Sequence, residues 1–358
     1  MRAFRTTREL QAISNHVGTE TTEDCSVSIF MPARNEAEII DRSCRGVLEQ
    51  GRCIASMVVI DDNSKDDTSK ILKNLSEEYV PLKVIRREVL EPGVCGKPSA
   101  LAWAYEQSAT KKPWLLFIDA DVVLAPGALD YLVRWAQAHK CDMVTGYPEQ
   151  KLGSWLEKIV MPSVMAFVGA AYPFQKVTDK NSTLAFANGQ LILVRREVYE
   201  NIGGHRAVQN QVLEDVALAK LLKRAGAQLG ILDLRGLAET RMYANQSELI
   251  EGWSKNLFLL LEQKTLKTIL LSVLLPLLGC SGLLALLSLD PIYGFAAFIF
   301  VTSMQMSIRY LLKVPVAWGF FSSFGSLYLS FLLLRSLLLH TVVHSVTWKG
   351  RRYENAPK

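Results

Sequence analysis

Several common signatures are missing from this chain. The G-x-G-x-x-G fingerprint of dinucleotide-binding folds is absent, which argues against an oxidoreductase, and no G-x-x-x-x-G-K-[ST] loop marks a nucleoside triphosphatase. The 6 cysteines (Cys25, Cys44, Cys53, Cys95, Cys141 and Cys280) are not spaced as a zinc or redox pair; scattered thiols in a reducing compartment account for them. No basic-aromatic pattern points to nucleic acid. The N-terminus lacks the apolar core of a secretory signal, so the large N-terminal part is expected to stay in the cytoplasm. Acids are almost absent from Thr268 to Trp348, a stretch crowded with Leu, Phe and Val.

What is present fits a large core with membrane segments attached: 358 residues, of which 49% are hydrophobic. The net charge of +5 is modest, and basic residues gather at both ends. Arg2, Arg5 and Arg8 begin the chain, and Lys349, Arg351 and Arg352 nearly end it. These clusters suit an anionic lipid surface, or plain solvation.

The pattern predicts four parts: a basic segment over 1–25, an α/β domain over 26–255, a membrane domain over 256–348 and a basic tail over 349–358. In the α/β domain, apolar runs at Val27–Pro32, Met57–Ile60, Lys83–Ile85, Trp114–Ile118 and Met143–Thr145 read as strands. Helical patterns over Ala37–Leu48, Ser99–Ala109 and Leu129–Ala138 alternate with them. Ser64, with Asp67 three residues on, reads as a capping signal for a helix through Leu75. Such alternation means a mostly parallel sheet, with ligands at the carboxyl ends of its strands. Trp155–Val177 is apolar but interrupted by charge and proline. It reads as a helix lying at the membrane interface, the other possibility being a buried core helix. Thr268–Leu289, Ile292–Ile308 and Pro315–Leu334 approach the roughly 20 residues a membrane span needs, with a turn at Asp290–Pro291.

The chemistry-bearing motifs fall at strand ends. Asp119 and Asp121 follow WLLFI, and two carboxylates so close repel unless a hard dication with oxygen ligands, Mg2+ or Mn2+, lies between them. The same ion can neutralise a departing diphosphate. Asp61 and Asp62 follow MVVI and could accept hydrogen bonds from a pyrimidine N–H and ribose hydroxyls, or merely favour a helix start. Pro32, Arg34 and Glu36 end the first strand, where they could frame a nucleotide or form an ordinary turn. The loop Gly93–Lys97 could meet phosphate oxygens through N–H groups and Lys97. Glu214–Asp215 reads as a general base beside an acceptor, or as acids at a helix N-terminus.

Taken in order, PARNE (32–36), DDNS (61–64), GKPSAL (96–101), DAD (119–121), LED (213–215) and EGWSK (251–255) resemble the motif series of family 2 glycosyltransferases with the GT-A fold. NGQLILVRREVYENIGGH, RMYANQSELIEGWSKN and WKGRRY resemble the membrane-bound bacterial branch associated with carotenoid and hopanoid glycosylation. The likeness runs from about Val27 to Tyr353. It implies nucleoside-binding acids at Asp61 and Asp62, a diphosphate-side lysine at Lys97, and a metal and diphosphate motif at Asp119 and Asp121. It further implies a general base at Asp215 and a donor-sugar and acceptor loop at Gly189 and Gln190. Trp253 matches the tryptophan of the Q/R-x-x-R-W motif of processive relatives, but the preceding arginine is missing, which puts polymer synthesis in doubt. Arg241 or Lys255 could supply that charge.

The implied reaction is inverting transfer of a sugar, with UDP-hexose as donor, to a hydroxyl of a carotenoid or other lipid alcohol. The alternatives are a processive polysaccharide synthase and a non-catalytic nucleotide-sugar- or lipid-binding membrane protein. The expected location is the cell membrane, multi-pass, with the catalytic domain cytoplasmic. Three full spans would leave the basic tail outside, so the segment Pro315–Trp348 is expected to fold back, or to cross twice, and return it.

Overall fold

The computed structural model describes residues 25–90, 93–288 and 290–354. The basic segment with Arg2, Arg5 and Arg8 and the last four residues lie outside the described residues. The chain divides into two compact units: the first holds residues up to Lys151 and Phe174–Arg241, the second Leu152–Pro173 and Met242 onward.

In the first unit the five expected runs are strands, and further strands join them; in chain order they are β1 (Val27–Ala33), β2 (Ile54–Asp61), β3 (Leu82–Arg86), β4 (Trp114–Ile118), β5 (Val122–Leu124), β6 (Met143–Tyr147), β7 (Glu149–Gln150), β8 (Leu191–Arg195), β9 (Leu229–Asp233) and β10 (Ala238–Thr240), of which β5, β7, β8, β9 and β10 were not expected. Helices α1 (Ile40–Leu48), α2 (Thr68–Glu78), α3 (Gly96–Ser108) and α4 (Ala128–Ala138) intervene. The central sheet has the order β3-β2-β1-β4-β8-β6-β9. Its pairings are parallel except around β8, which runs against both β4 and β6. Ile29, Met31, Met57, Val59, Leu116 and Ile118 are buried against Leu72, Leu129 and Leu132 of the helices. Strands covered on both faces read as near-continuous apolar runs, which is why they were visible in sequence.

Two local expectations are corrected. Helix α2 starts at Thr68, and Ser64 does not cap it: its hydroxyl accepts from the Asn35 N–H at 3.1 Å, while its own N–H donates to Asp61 Oδ1 at 3.0 Å. Asn35 and Asn63 both take positive φ (54° and 59°), a turn conformation asparagine tolerates, and they close the loops after β1 and β2. Cys25 and Cys53, both free thiols, lie 3.2 Å apart. Parallel β1 and β2 begin side by side, a proximity that chain spacing does not reveal.

The second unit begins with α5 (Trp155–Ala171). Pro173 separates it from α6 (Phe174–Thr178), which belongs to the first unit, so the expected segment Trp155–Val177 is two helices. The first unit then continues with α7 (Arg196–Asn201) and α8 (Glu214–Arg224). Helix α5 is capped by Ser154 and Glu157 acting reciprocally. Pro162 lies inside it and has no N–H for the carbonyl of Lys158. Arg309 fills that gap: Nη1 donates to Lys158 O at 2.7 Å and Nη2 to Ile159 O at 3.1 Å, with the arginine buried.

The rest of the second unit is α9 (Gln246–Leu260), α10 (Thr265–Ser288), α11 (Pro291–Leu311), α12 (Ser322–Thr341) and the hairpin β11 (Ser345–Trp348) and β12 (Arg351–Glu354). Among the described residues, three helices are long and apolar enough to cross a membrane: Thr265–Leu287, Pro291–Leu311 and Val316–Thr341. Asp290 caps α11 by accepting from the Ile292 N–H at 3.0 Å. The third helix runs unbroken past Arg335, so it does not make two short crossings.

Helix α12 runs antiparallel to α10 and α9. Ser323 donates to Gly279 O (2.8 Å), Ser330 to Ser272 O, the Phe258 N–H to Ser336 Oγ (2.9 Å), and His340 Nε2 lies 2.9 Å from Lys255 O. The tail then forms a hairpin on α9, with Lys255 5.0 Å over the Trp348 ring. Lys349 and Gly350 make its two-residue turn, both at positive φ. The described hairpin therefore packs on α9, ahead of the first long apolar helix.

Candidate active site

The reversed direction of β8 shapes the site. Because β8 is antiparallel to β4, Leu191 pairs with Ile118, and the residues just before β8 meet those just after β4. The Asp119 N–H donates to Gln190 O at 3.1 Å. Gly189 is next, and its N–H donates to Asp215 Oδ2 at 2.8 Å. A Cβ at Gly189 would lie 2.9 Å from Lys97 Nζ and 3.0 Å from Asp215 Oδ2, so the lack of a side chain admits both groups.

Lys97 stands at the second residue of α3, where the helix dipole disfavours a cation. Carboxylates hold it there: Nζ is 2.7 Å from Asp119 Oδ1 and 3.1 Å from Glu214 Oε1, and it donates to Gly189 O at 3.1 Å. Burial opposes its charge, but Asp119, Glu214 and Asp215 outweigh burial and raise its pKa above the usual lysine value. Glu214 and Asp215 open α8, where acids are favoured, so the reading of this pair as acids at a helix N-terminus holds. Burial pushes the Asp215 carboxyl up to about 6, with Glu214 adding to the rise and Lys97, the Val216 N–H and the Gly189 N–H opposing it.

A second acid cluster ends β2. Asp61 accepts from the Ser64 N–H and from Ser69 Oγ. Asp62 pairs with Arg87, whose Nε lies 2.9 Å and Nη2 2.8 Å from Oδ1. Arg87 also reaches Ser99 Oγ (2.7 Å) and Gly96 O (2.9 Å), which ties the loop ahead of Lys97 to Asp62. Arg34 donates to Asp62 O at 2.8 Å, and the Glu36 N–H to Thr68 Oγ1 at 2.8 Å; Pro32 is half-buried in β1. Pro32, Arg34 and Glu36 thus stand at the carboxyl end of β1, as expected.

Lys97, Asp119, Gly189, Gln190, Glu214 and Asp215 are brought together. Asp121 follows two residues after Asp119, beyond the buried Ala120. Trp253 belongs to the second unit, where its indole N–H faces Met161 Sδ at 3.3 Å and its ring meets Tyr243 edge-on. Sequence reasoning missed Arg87, Asn188 and His205. Asn188 Nδ2 donates to Gly146 O at 3.0 Å and to Gln190 Oε1 at 3.1 Å. Burial lowers the His205 pKa to about 3, with Glu214 opposing and Lys97 adding to the fall; its Nδ1 lies 2.9 Å from Tyr199 Oη. Only Arg87 left a signal, as a basic pair with Arg86 directly after a strand.

The donor set suits a hard dication. Asp119 and Asp121 offer carboxylate oxygen, and among the described residues no group of three or more His, Cys, Asp and Glu gathers as a closed metal cage. A site with two protein carboxylates leaves positions for phosphate oxygens and water, as Mg2+ sites commonly do.

Comparisons with known proteins agree with this geometry. The Glycosyl transferase family 2 profile matches residues 28–203. A 4,4'-diaponeurosporenoate glycosyltransferase of Staphylococcus haemolyticus is 26% identical over 265 residues, which are 73% of this chain and 68% of that protein. A beta-monoglucosyldiacylglycerol synthase of Trichormus variabilis is 29% identical over 180 residues, covering 50% of this chain and only 37% of its relative. A mannosyltransferase of Pyrobaculum calidifontis, solved with GDP-Man and Mn2+, shares the fold over 94% of each chain with a TM-score of 0.53 and 14% identity. With the mostly parallel sheet and the acids at its strand ends, this identifies residues 28–203 as a glycosyl transferase family 2 domain of the GT-A fold, in a chain that continues into three helices long and apolar enough to cross a membrane.

Proposed function

We propose that the chain transfers a hexose, with inversion, from a nucleoside-diphosphate sugar such as a UDP-hexose to a hydroxyl of a lipophilic acceptor, a carotenoid or other lipid alcohol. The observation that carries this reading is Asp215. Asp215 is a half-buried carboxylate held by the Gly189 N–H at 2.8 Å in the cluster around Lys97; with its pKa pushed up to about 6 it is ionised at neutral pH and still basic enough to take a proton.

The acceptor hydroxyl gives its proton to Asp215 as its oxygen bonds to the anomeric carbon. The bond from that carbon to the diphosphate oxygen breaks on the opposite face, and the nucleoside diphosphate leaves with the electron pair. Asp119 and Asp121 would hold Mg2+ or Mn2+, which when bound supplies positive charge to the diphosphate. Lys97 adds an ammonium beside it, Asp61 and Asp62 receive the nucleoside with Pro32, Arg34 and Glu36 around it, and Gly189 and Gln190 face the sugar. Holding donor and acceptor together contributes a large share of the rate.

The relatives support a lipid-type acceptor, but the name of one denotes a carboxylate, and an ionised acid needs no base. The raised Asp215 favours a hydroxyl. Radiolabelled UDP-glucose supplied to membranes containing the protein should yield a labelled lipid stable to mild alkali. An alkali-labile sugar ester would overturn the hydroxyl assignment.

For location we propose the cell membrane, with the catalytic unit and the tail hairpin cytoplasmic. The packing of the hairpin on α9 supports the return of the tail. Cysteine introduced at Gly350 should resist a membrane-impermeant thiol reagent in intact cells; ready labelling would place the tail outside.

A further inference from the structure

Lys97 is an ammonium held in common by two functions. It is 2.7 Å from Asp119, the first acid of the D-x-D motif, and 3.1 Å from Glu214, the neighbour of the base. Its contact with Gly189 O fixes it in the loop between them. The position is unfavourable for a cation by helix dipole, so the carboxylates, with the Gly189 carbonyl, account for it.

We propose that Lys97 is an exchangeable counter-ion: it occupies Asp119 until a divalent cation arrives with a nucleoside diphosphate, and then passes from Asp119 to the diphosphate. This rests on the reading of Asp119 and Asp121 as cation ligands. A cation arriving alone must displace an ammonium from direct contact and then remain beside it. A nucleoside diphosphate arriving alone meets Asp119, Asp121, Glu214 and Asp215 against one lysine. Together the two ligands relieve each other: the diphosphate accepts the displaced ammonium, and the cation neutralises the acids. The cation and the nucleotide therefore bind interdependently, and the size of that interdependence is set by Lys97.

The test measures Mn2+ binding to the full-length protein in detergent through loss of the free-ion electron paramagnetic resonance signal. Wild type, Lys97→Met and Lys97→Gln are compared without nucleotide, with UDP and with GDP. Wild type should bind Mn2+ about tenfold or more tightly with one of the nucleotides than without, a typical size for coupling between sites. Either folded variant should bind Mn2+ alone about tenfold more tightly than wild type, and the gain from nucleotide should shrink. Thermal unfolding reports which variants are folded, and the glutamine variant keeps a polar group should methionine disrupt the site. Variants that bind Mn2+ alone no better than wild type, while wild type shows the nucleotide gain, overturn the counter-ion role and leave the cation reading intact. Failure of every form to bind Mn2+, even with UDP or GDP, removes the cation reading itself and the proposal with it.

Discussion

The acid clusters at the ends of β2 and β4 are built on the same plan and finished differently. At β2 each aspartate has donors of its own: Ser64 and Ser69 serve Asp61, and Arg87 serves Asp62. At β4 the carboxylates Asp119 and Glu214 share one lysine, and Asp215 is left with a raised pKa. The first arrangement fixes a shape; the second holds charge ready to be redistributed. A catalytic group must change its protonation or its partners, and a saturated cluster resists both.

The comparison breaks most completely at the D-x-D end. Asp121→Ala or Asp119→Ala should abolish turnover with the fold retained by circular dichroism, and a chelator should do the same until manganese or magnesium is returned. Full turnover in excess chelator would remove the metal from the reading. Asp215→Asn keeps the size of the side chain and removes the proposed base. Turnover should fall at least about a hundredfold with donor binding and melting temperature nearly unchanged.

The same residue sets a pH dependence. Its folded pKa is raised to about 6, so wild-type kcat should drop as pH falls through about 6, where the base becomes protonated, and hold above it. A flat profile from pH 5 to 8 would show that Asp215 is not the base.

The β2 cluster should respond in stability more than in chemistry. Arg87→Leu leaves Asp62 buried without its cation, which typically costs about 3 kcal/mol or more, and it loosens the loop before Lys97. Chemical denaturation should show that loss, with KM for the donor rising more than kcat falls; an unchanged midpoint would show that the pair is incidental. The smallest effect is expected from Gly189→Ala, where the new methyl presses on Lys97 Nζ and Asp215. Lys97 can yield at its flexible end but Asp215 Cβ, 3.3 Å away, cannot, so kcat should fall about tenfold through misplacement of the base.

Much of this was legible in the sequence because the relevant signals are local. WLLFI is a strand buried along its whole length, and the acids that follow it must emerge at its end. The apolar lengths of the three long helices are likewise a matter of composition. What remained hidden depends on contacts between distant segments. The antiparallel direction of β8 leaves no mark in its apolar run, yet it alone brings Gly189 and Gln190 to Asp119. The service of Arg87 to Asp62 and the meeting of Cys25 with Cys53 arise from strands lying side by side. Ser64 looked like a cap by local rule, but its hydroxyl is engaged by the turn after β1.

Arg309 and Pro162 limit how the chain can be dissected. The helix that carries Pro162 lies within the N-terminal half of the polypeptide, whereas the guanidinium that seals its open carbonyl is supplied about 150 positions later, from the end of α11. A fragment ending near residue 255 would retain the proline and lose the seal, and would expose the face of α5 bearing Ile159, Val160 and Val164, all buried in the whole protein. Such a fragment would carry an unsatisfied backbone oxygen on an apolar helix, a combination that favours aggregation over solubility. The apolar C-terminal helices are thus needed wherever α5 is kept, and a dissection that removes 152–173 together with them follows the division into two units better than any single cut.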